Sequence, residues 1–96
     1  RRELFRAKYI EILEKKGLLH EQMDQWQEAV DTWRVLLGTD PFVEAAYRNL
    51  MILYADAGRK NEALHVFKEC RRILKQELDT EPEPQTQQIY NRIKKR

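Results

Sequence analysis

The feature that most constrains this chain is an internal repeat. Sliding the sequence against itself by 34 residues superposes like on like: Ala29 falls on Ala63, Trp33 on Phe67, Val30 on Leu64, Leu36 on Cys70, Leu13 on Tyr47 and His20 on Tyr54. A repeat of this length is one supersecondary unit that buries its apolar side against its neighbours. The spacing divides the chain into units of about 8–41 and 42–75, with a trailing segment of about 85–95. We read the whole of 1–96 as a single domain.

The local signals within each unit are helical. Apolar residues recur at three- and four-residue steps, and no segment alternates with the period of a strand. Leu4, Phe5, Tyr9, Ile12, Leu13 and Leu19 make a stripe in a first helix, interrupted by Gly17. Asp24, with Gln27 three residues on, has capping-box spacing for a second helix. Its stripe runs Trp26, Ala29, Val30, Trp33, Leu36 and Leu37, and Gly38 suits the left-handed residue past its end. Asp40-Pro41 then reads as an N-cap followed by proline at the first helical position. Ala46, Leu50, Leu53, Tyr54 and Ala57 mark that third helix, and Gly58 closes it. A fourth begins near Asn61 and carries Ala63, Leu64, Phe67, Cys70, Leu74 and Leu78 on one face. Two prolines in Thr80-Glu81-Pro82-Glu83-Pro84 stop it, and Thr86 to Lys95 forms a last short helix with Ile89, Tyr90 and Ile93 inward.

A 34-residue helix–turn–helix period resembles that of tetratricopeptide repeats. Ala29 and Ala63 supply the small residue where paired helices cross, and Trp33 and Phe67 supply the aromatic four positions later. Pro41 stands at the junction to the next unit. The second unit has Lys75 there, so its last helix is free to run on. His20, Met51 and Asp24 depart from the usual pattern. The expected fold is therefore all-α, a tetratricopeptide-like right-handed stack of two helical hairpins plus a C-terminal capping helix. That last helix covers the end of Phe67 and Leu74, or else leaves the end open for a second copy of the chain.

A narrower resemblance lies in Asp40-Pro41-Phe42-Val43-Glu44-Ala45-Ala46-Tyr47-Arg48-Asn49-Leu50-Met51, in Gly58-Arg59-Lys60-Asn61-Glu62-Ala63-Leu64, and in Leu74 to Leu78 followed by Glu81-Pro82-Glu83-Pro84. Over about residues 9–93 the chain resembles the bacterial transcriptional activator domain of antibiotic-regulator-type transcription factors. That resemblance implies a position after a DNA-binding winged helix–turn–helix, sometimes with a phosphoreceiver domain. The chain would be the regulatory and assembly half, touching DNA only through a domain outside this sequence. It does not open on Met, which fits a segment of a longer regulator.

Composition narrows the function further. Eighteen basic residues are nearly cancelled by sixteen acidic ones, interspersed, so the net charge of +2 does not argue for a polyanion partner. The basic ends, Arg1-Arg2 and Lys94-Lys95-Arg96, read as solvated termini. Cys70 is the one cysteine, which rules out an internal disulfide, suits a cytoplasmic location, and reads as a buried structural thiol. No apolar run approaches a membrane span. His20 and His65 lack carboxylate or thiol neighbours at ligand spacing, so no metal is expected, nor any cofactor. The aromatic residues at helical spacing read as core rather than as a ligand cage. No phosphate loop, nucleophile elbow or Ser/His/Asp set suggests an enzyme.

The function expected is protein–protein contact or oligomerisation within a bacterial transcriptional regulator. The partners would be a second copy, other regulator domains or the transcription machinery. The alternative is a scaffolding or chaperone-type tetratricopeptide module unrelated to transcription. Repeat register places Glu11, Glu14, Leu18, Glu21 and Gln22 on a partner groove from the first unit, and Arg48, Asn49, Ile52, Ala55 and Asp56 from the second. Glu14 stands where carboxylate capture would need a cation, so a partner helix with basic residues suits that groove better. A rival site is the cationic stripe Lys68, Arg71, Arg72 and Lys75, which could touch phosphates but reads first as a solvated helix face.

Overall fold

A computed structural model describes residues 2–96, apart from the side chain of Arg2; Arg1 and that side chain, and so the basic start of the chain, lie outside the described residues. Among the described residues there are five helices and no strand: α1 (Arg2–Gln22), α2 (Trp26–Thr39), α3 (Glu44–Asp56), α4 (Lys60–Leu78) and α5 (Pro84–Lys95). They fall into two compact units that divide between Pro41 and Phe42. The first is the hairpin α1/α2, and the second is the hairpin α3/α4 with α5 packed on both of its helices. The hairpins end and restart 34 residues apart, from 22 to 56 and from 26 to 60. The all-helical, repeat-like reading of the sequence holds.

The two turns repeat bond for bond. In the first, Gln25 N–H donates to His20 O (2.8 Å) and Asp24 N–H to Glu21 O (3.1 Å). In the second, Arg59 N–H donates to Tyr54 O (2.8 Å) and Gly58 N–H to Ala55 O (3.0 Å). This is the Schellman arrangement, which needs a left-handed residue at its centre. Asp24 (φ 58°) and Gly58 (φ 77°) occupy it. The expected capping box at Asp24 is therefore absent. The N-cap of α2 is Gln25, no side chain caps it, and Asp24 terminates α1 instead. Gln25 Oε1 lies 2.6 Å from His20 Nδ1, which ties the turn to the end of α1.

In the first unit, α2 buries Ala29, Val30, Thr32, Trp33, Leu36 and Leu37. Thr32 is tolerated inside because its hydroxyl donates to Glu28 O (2.8 Å). The face that α1 turns inward differs from the stripe expected of it. Leu13 and Gly17 are buried, with Ile10, Glu14, His20 and Glu21 half-buried. Leu4, Phe5, Tyr9, Ile12 and Leu19 are exposed. Trp33 causes the inward face to centre on Gly17: a methyl group there would sit 2.7 Å from the indole Cε2. At the far end of the hairpin the Arg6 guanidinium donates to Thr39 O (2.7 Å).

The link between the units also departs from expectation. Gly38 is helical, because α2 continues to Thr39. Asp40, in extended conformation, closes α2 with its N–H on Leu36 O (2.9 Å). Pro41 stands in the next turn, and α3 opens at Glu44 with Val43 as N-cap. Asp40-Pro41 therefore ends one helix rather than starting the next.

In the second unit, Ala46, Tyr47, Leu50 and Met51 from α3 meet Ala63, Val66, Phe67, Cys70 and Leu74 from α4 as the buried positions. Leu53 and Tyr54 are half-buried, and Ala57 and Leu78 are exposed. Met51, fully buried, fills the position equivalent to Gly17, and Phe67 the position equivalent to the larger Trp33. With Lys75 in place of proline, α4 runs for 19 residues against 14 in α2. It ends at Asp79, again left-handed (φ 51°). Burial and the nearby Glu44 carboxylate push the Cys70 thiol up to about 12, so it is a packing residue rather than a nucleophile.

The Gly17–Trp33–Glu21 locus is open to two tests. Gly17→Ala gains about 1 kcal/mol of helix propensity but overpacks the indole at a cost of about 1–3 kcal/mol, so denaturant titration should show a net loss of about 1 kcal/mol. Glu21 Oε2 and Trp33 Nε1 are both shut from water without hydrogen-bond geometry. Burial raises the Glu21 carboxyl, and the nearby indole N–H offsets only part of that shift. A raised folded pKa means the folded chain holds the proton more readily, so Glu21 lowers stability at neutral pH; the penalty starts to shrink as pH falls below the raised value and is gone below the ordinary carboxylate range of the unfolded chain. Glu21→Gln should raise the melting temperature at pH 7 and shrink the gain on acidification. Melts of both proteins between pH 4 and 7 would expose a failure as superimposable profiles.

Candidate protein-binding surfaces

The position of α5 decides what the second unit offers to a partner. Pro84 opens α5 at its first turn, where a missing N–H is harmless. The preceding loop is fixed by a polar network. Glu44 Oε1 accepts the Glu83 N–H (2.9 Å) and the Thr86 hydroxyl (2.8 Å), and the Arg48 guanidinium donates to Thr86 Oγ1 (3.0 Å). Thr86 is fully buried, so the two bonds of its hydroxyl replace water it has lost. Gln87 Nε2 donates to the carbonyl of the buried Pro82 (2.6 Å). Further along, Tyr90 stacks on Phe67 with centroids 4.0 Å apart and rings 15° from parallel. Ile89 and Ile93 complete the buried face. The expected covering of Phe67 by the last helix is therefore present.

Between α3 and α5 lies an open cleft of about 240 Å³, lined by Ile52, Ala55 and Asp56 on one side and by Ile89, Arg92, Ile93 and Arg96 on the other. Its floor is apolar and its rim charged. Asp56 and Arg96 face each other at 3.6 Å. Three residues expected on a partner groove, Ile52, Ala55 and Asp56, are brought together here. The other two from this unit are engaged elsewhere: Arg48 holds Thr86 and lies 3.8 Å from Glu83, and Asn49 donates to Ala45 O (2.8 Å) in its own helix. The residues from α5 were missed because nothing in the sequence pairs α5 with α3 rather than α4 alone.

In the first unit, Leu18, Glu11 and Gln22 are exposed or nearly so, whereas Glu14 and Glu21 are half-buried, and Glu11 pairs with Lys15 (3.2 Å). The cationic stripe of α4 is divided. Arg71 lies over the Phe67 ring at 5.5 Å, and Lys75 pairs with Asp79 at 2.9 Å. Arg72 approaches Gln76 (3.4 Å), and Lys68 and Arg72 line a shallow surface hollow with His65 and Glu69. Among the described residues no cluster of His, Cys, Asp or Glu is placed to hold a metal ion, and no helix is long and apolar enough to cross a membrane.

Thr86→Val keeps the shape of the side chain but removes the hydroxyl that Arg48 donates to and that donates to Glu44, leaving each with Glu83 alone. Leaving buried polar groups unmatched costs about 1–3 kcal/mol. We expect a loss of that size in denaturant titration and faster amide exchange in α5 than in α3; a neutral substitution would mean that apolar packing alone seats the helix.

The chain is 35% identical over 66 residues to the regulatory protein AfsR of Streptomyces griseus and 36% identical over 66 residues to that of Streptomyces coelicolor. Each match covers 69% of this chain and 7% of the relative, so the chain spans only a small part of those proteins. No solved structure matches it significantly. The family described as the bacterial transcriptional activator domain matches residues 1–94, nearly the full length, and the chain belongs to that family.

Proposed function

We propose that this chain is a non-catalytic protein-contact module of a bacterial transcriptional regulator, reaching DNA only through another domain of the same protein. The supporting observation is the α3/α5 cleft, where Ile52 and Ala55 present apolar surface between Asp56, Arg92 and Arg96. An apolar floor with a charged rim is the anatomy of a small protein-binding site, since burial supplies affinity and the charges select the partner. Membership of the activator-domain family favours a partner in transcription over a general scaffolding role.

Ile52 is 39% exposed, so its replacement tests contact rather than folding. Ile52→Arg should change stability by no more than about 0.5 kcal/mol, as is usual for surface substitutions. In the regulator that carries this chain it should reduce transcription activation several-fold while DNA binding persists. Normal activation by a folded Ile52→Arg variant would remove the cleft from the mechanism.

A further inference from the structure

The outward face of α1 has a spacing that the hairpin does not use. Phe5, Tyr9, Ile12, Lys16, Leu19 and Met23 succeed one another at alternating steps of four and three, Met23 lying just past the helix end. That is the 3.5-residue period of a coiled-coil seam, sustained over about 27 Å of helix at 1.5 Å per residue. Every apolar member is exposed: Phe5 is 70% accessible, Ile12 60%, Met23 58%, Leu19 53% and Tyr9 47%. Contiguous apolar surface of this kind on a folded unit marks a contact site.

The flanking charges identify the occupant. Lys8 and Lys15 run along one edge of the seam, and Lys16 enters it. On the other edge Arg6 is committed to Thr39 O, Leu13 is buried and His20 is held by Gln25. Glu11 lies beyond Lys15 and pairs with it, while Glu3 and Glu14 lie farther round the helix. A second copy fits poorly. Antiparallel pairing would set the lysine edge against itself, parallel pairing would set Lys16 in the seam against its own copy, and like charges at these positions disfavour association.

We propose that the outward face of α1 is a docking seam for an amphipathic helix of a protein partner, one with apolar residues at heptad spacing and glutamate or aspartate along its edges. This rests on the reading of the chain as a protein-contact module but not on the α3/α5 cleft.

The test uses the 96-residue chain and two synthetic 28-residue helical peptides with the same Leu/Ile seam, one with Glu and one with Lys at the flanking positions. Fluorescence anisotropy should show the Glu peptide binding at least tenfold tighter than the Lys peptide. Ile12→Gln should weaken the Glu peptide at least tenfold, whereas Ile52→Arg should not. The double change Lys8→Glu with Lys15→Glu should reverse the preference, and circular dichroism should show all variants folded. Equal binding of both peptides, binding indifferent to Ile12→Gln, or a dimer in sedimentation that Ile12→Gln dissociates would each overturn the proposal. None of these failures touches the cleft reading, which stands or falls on Ile52.

Discussion

Both hairpins reverse on a single residue held in the left-handed region, Asp24 in one and Gly58 in the other, and the 34-residue regularity descends from that constraint. The left-handed residue lets two N–H groups fold back onto the last turn of the preceding helix, so the chain leaves each helix at a fixed angle. Beyond the turn, each unit has a second helix whose N-terminus no side chain caps, and then a small alanine at the crossing. Glycine meets the left-handed requirement at no steric penalty. An L-residue adopts it at about 1–2 kcal/mol, and aspartate is among the few that do so routinely.

Periodicity was legible where it depended on residue size. Ala29 and Ala63 are fully buried, as are Trp33 and nearly Phe67, because close helix crossings dictate volume at those places whatever surrounds them. Helix ends were less legible. Asp24 and Asp40 both satisfy the composition of an N-cap, yet each closes a helix, since an aspartate beside a helix is suited to either end and the turn geometry decides. On α1 the helix was legible and its inward face was not: of the expected stripe only Leu13 is buried. Gly17 interrupts the apparent stripe, and that interruption marks the inward side, because only a hydrogen leaves room for the Trp33 ring.

The candidate surfaces were readable in part for a related reason. Register placed Ile52, Ala55 and Asp56 on an open face, and the cleft gathers them. The same register offered Arg48 to a partner, but its ligands lie at Thr86 and Glu83, far along the chain. A buried polar network between distant residues leaves no periodic trace. Glu44, Arg48 and Thr86 each look like ordinary surface residues until α5 folds over them.

Both tryptophans of the chain, Trp26 and Trp33, sit on α2, and the second unit contains none. Intrinsic tryptophan emission is therefore a private signal of the first unit, with the fully enclosed Trp33 as its most environment-sensitive source. Far-ultraviolet ellipticity, by contrast, sums over helices of both units. The chain thus carries a local optical reporter beside a global one. Coincident transitions in the two signals would mark one cooperative body, and separated transitions would mark two that melt on their own terms.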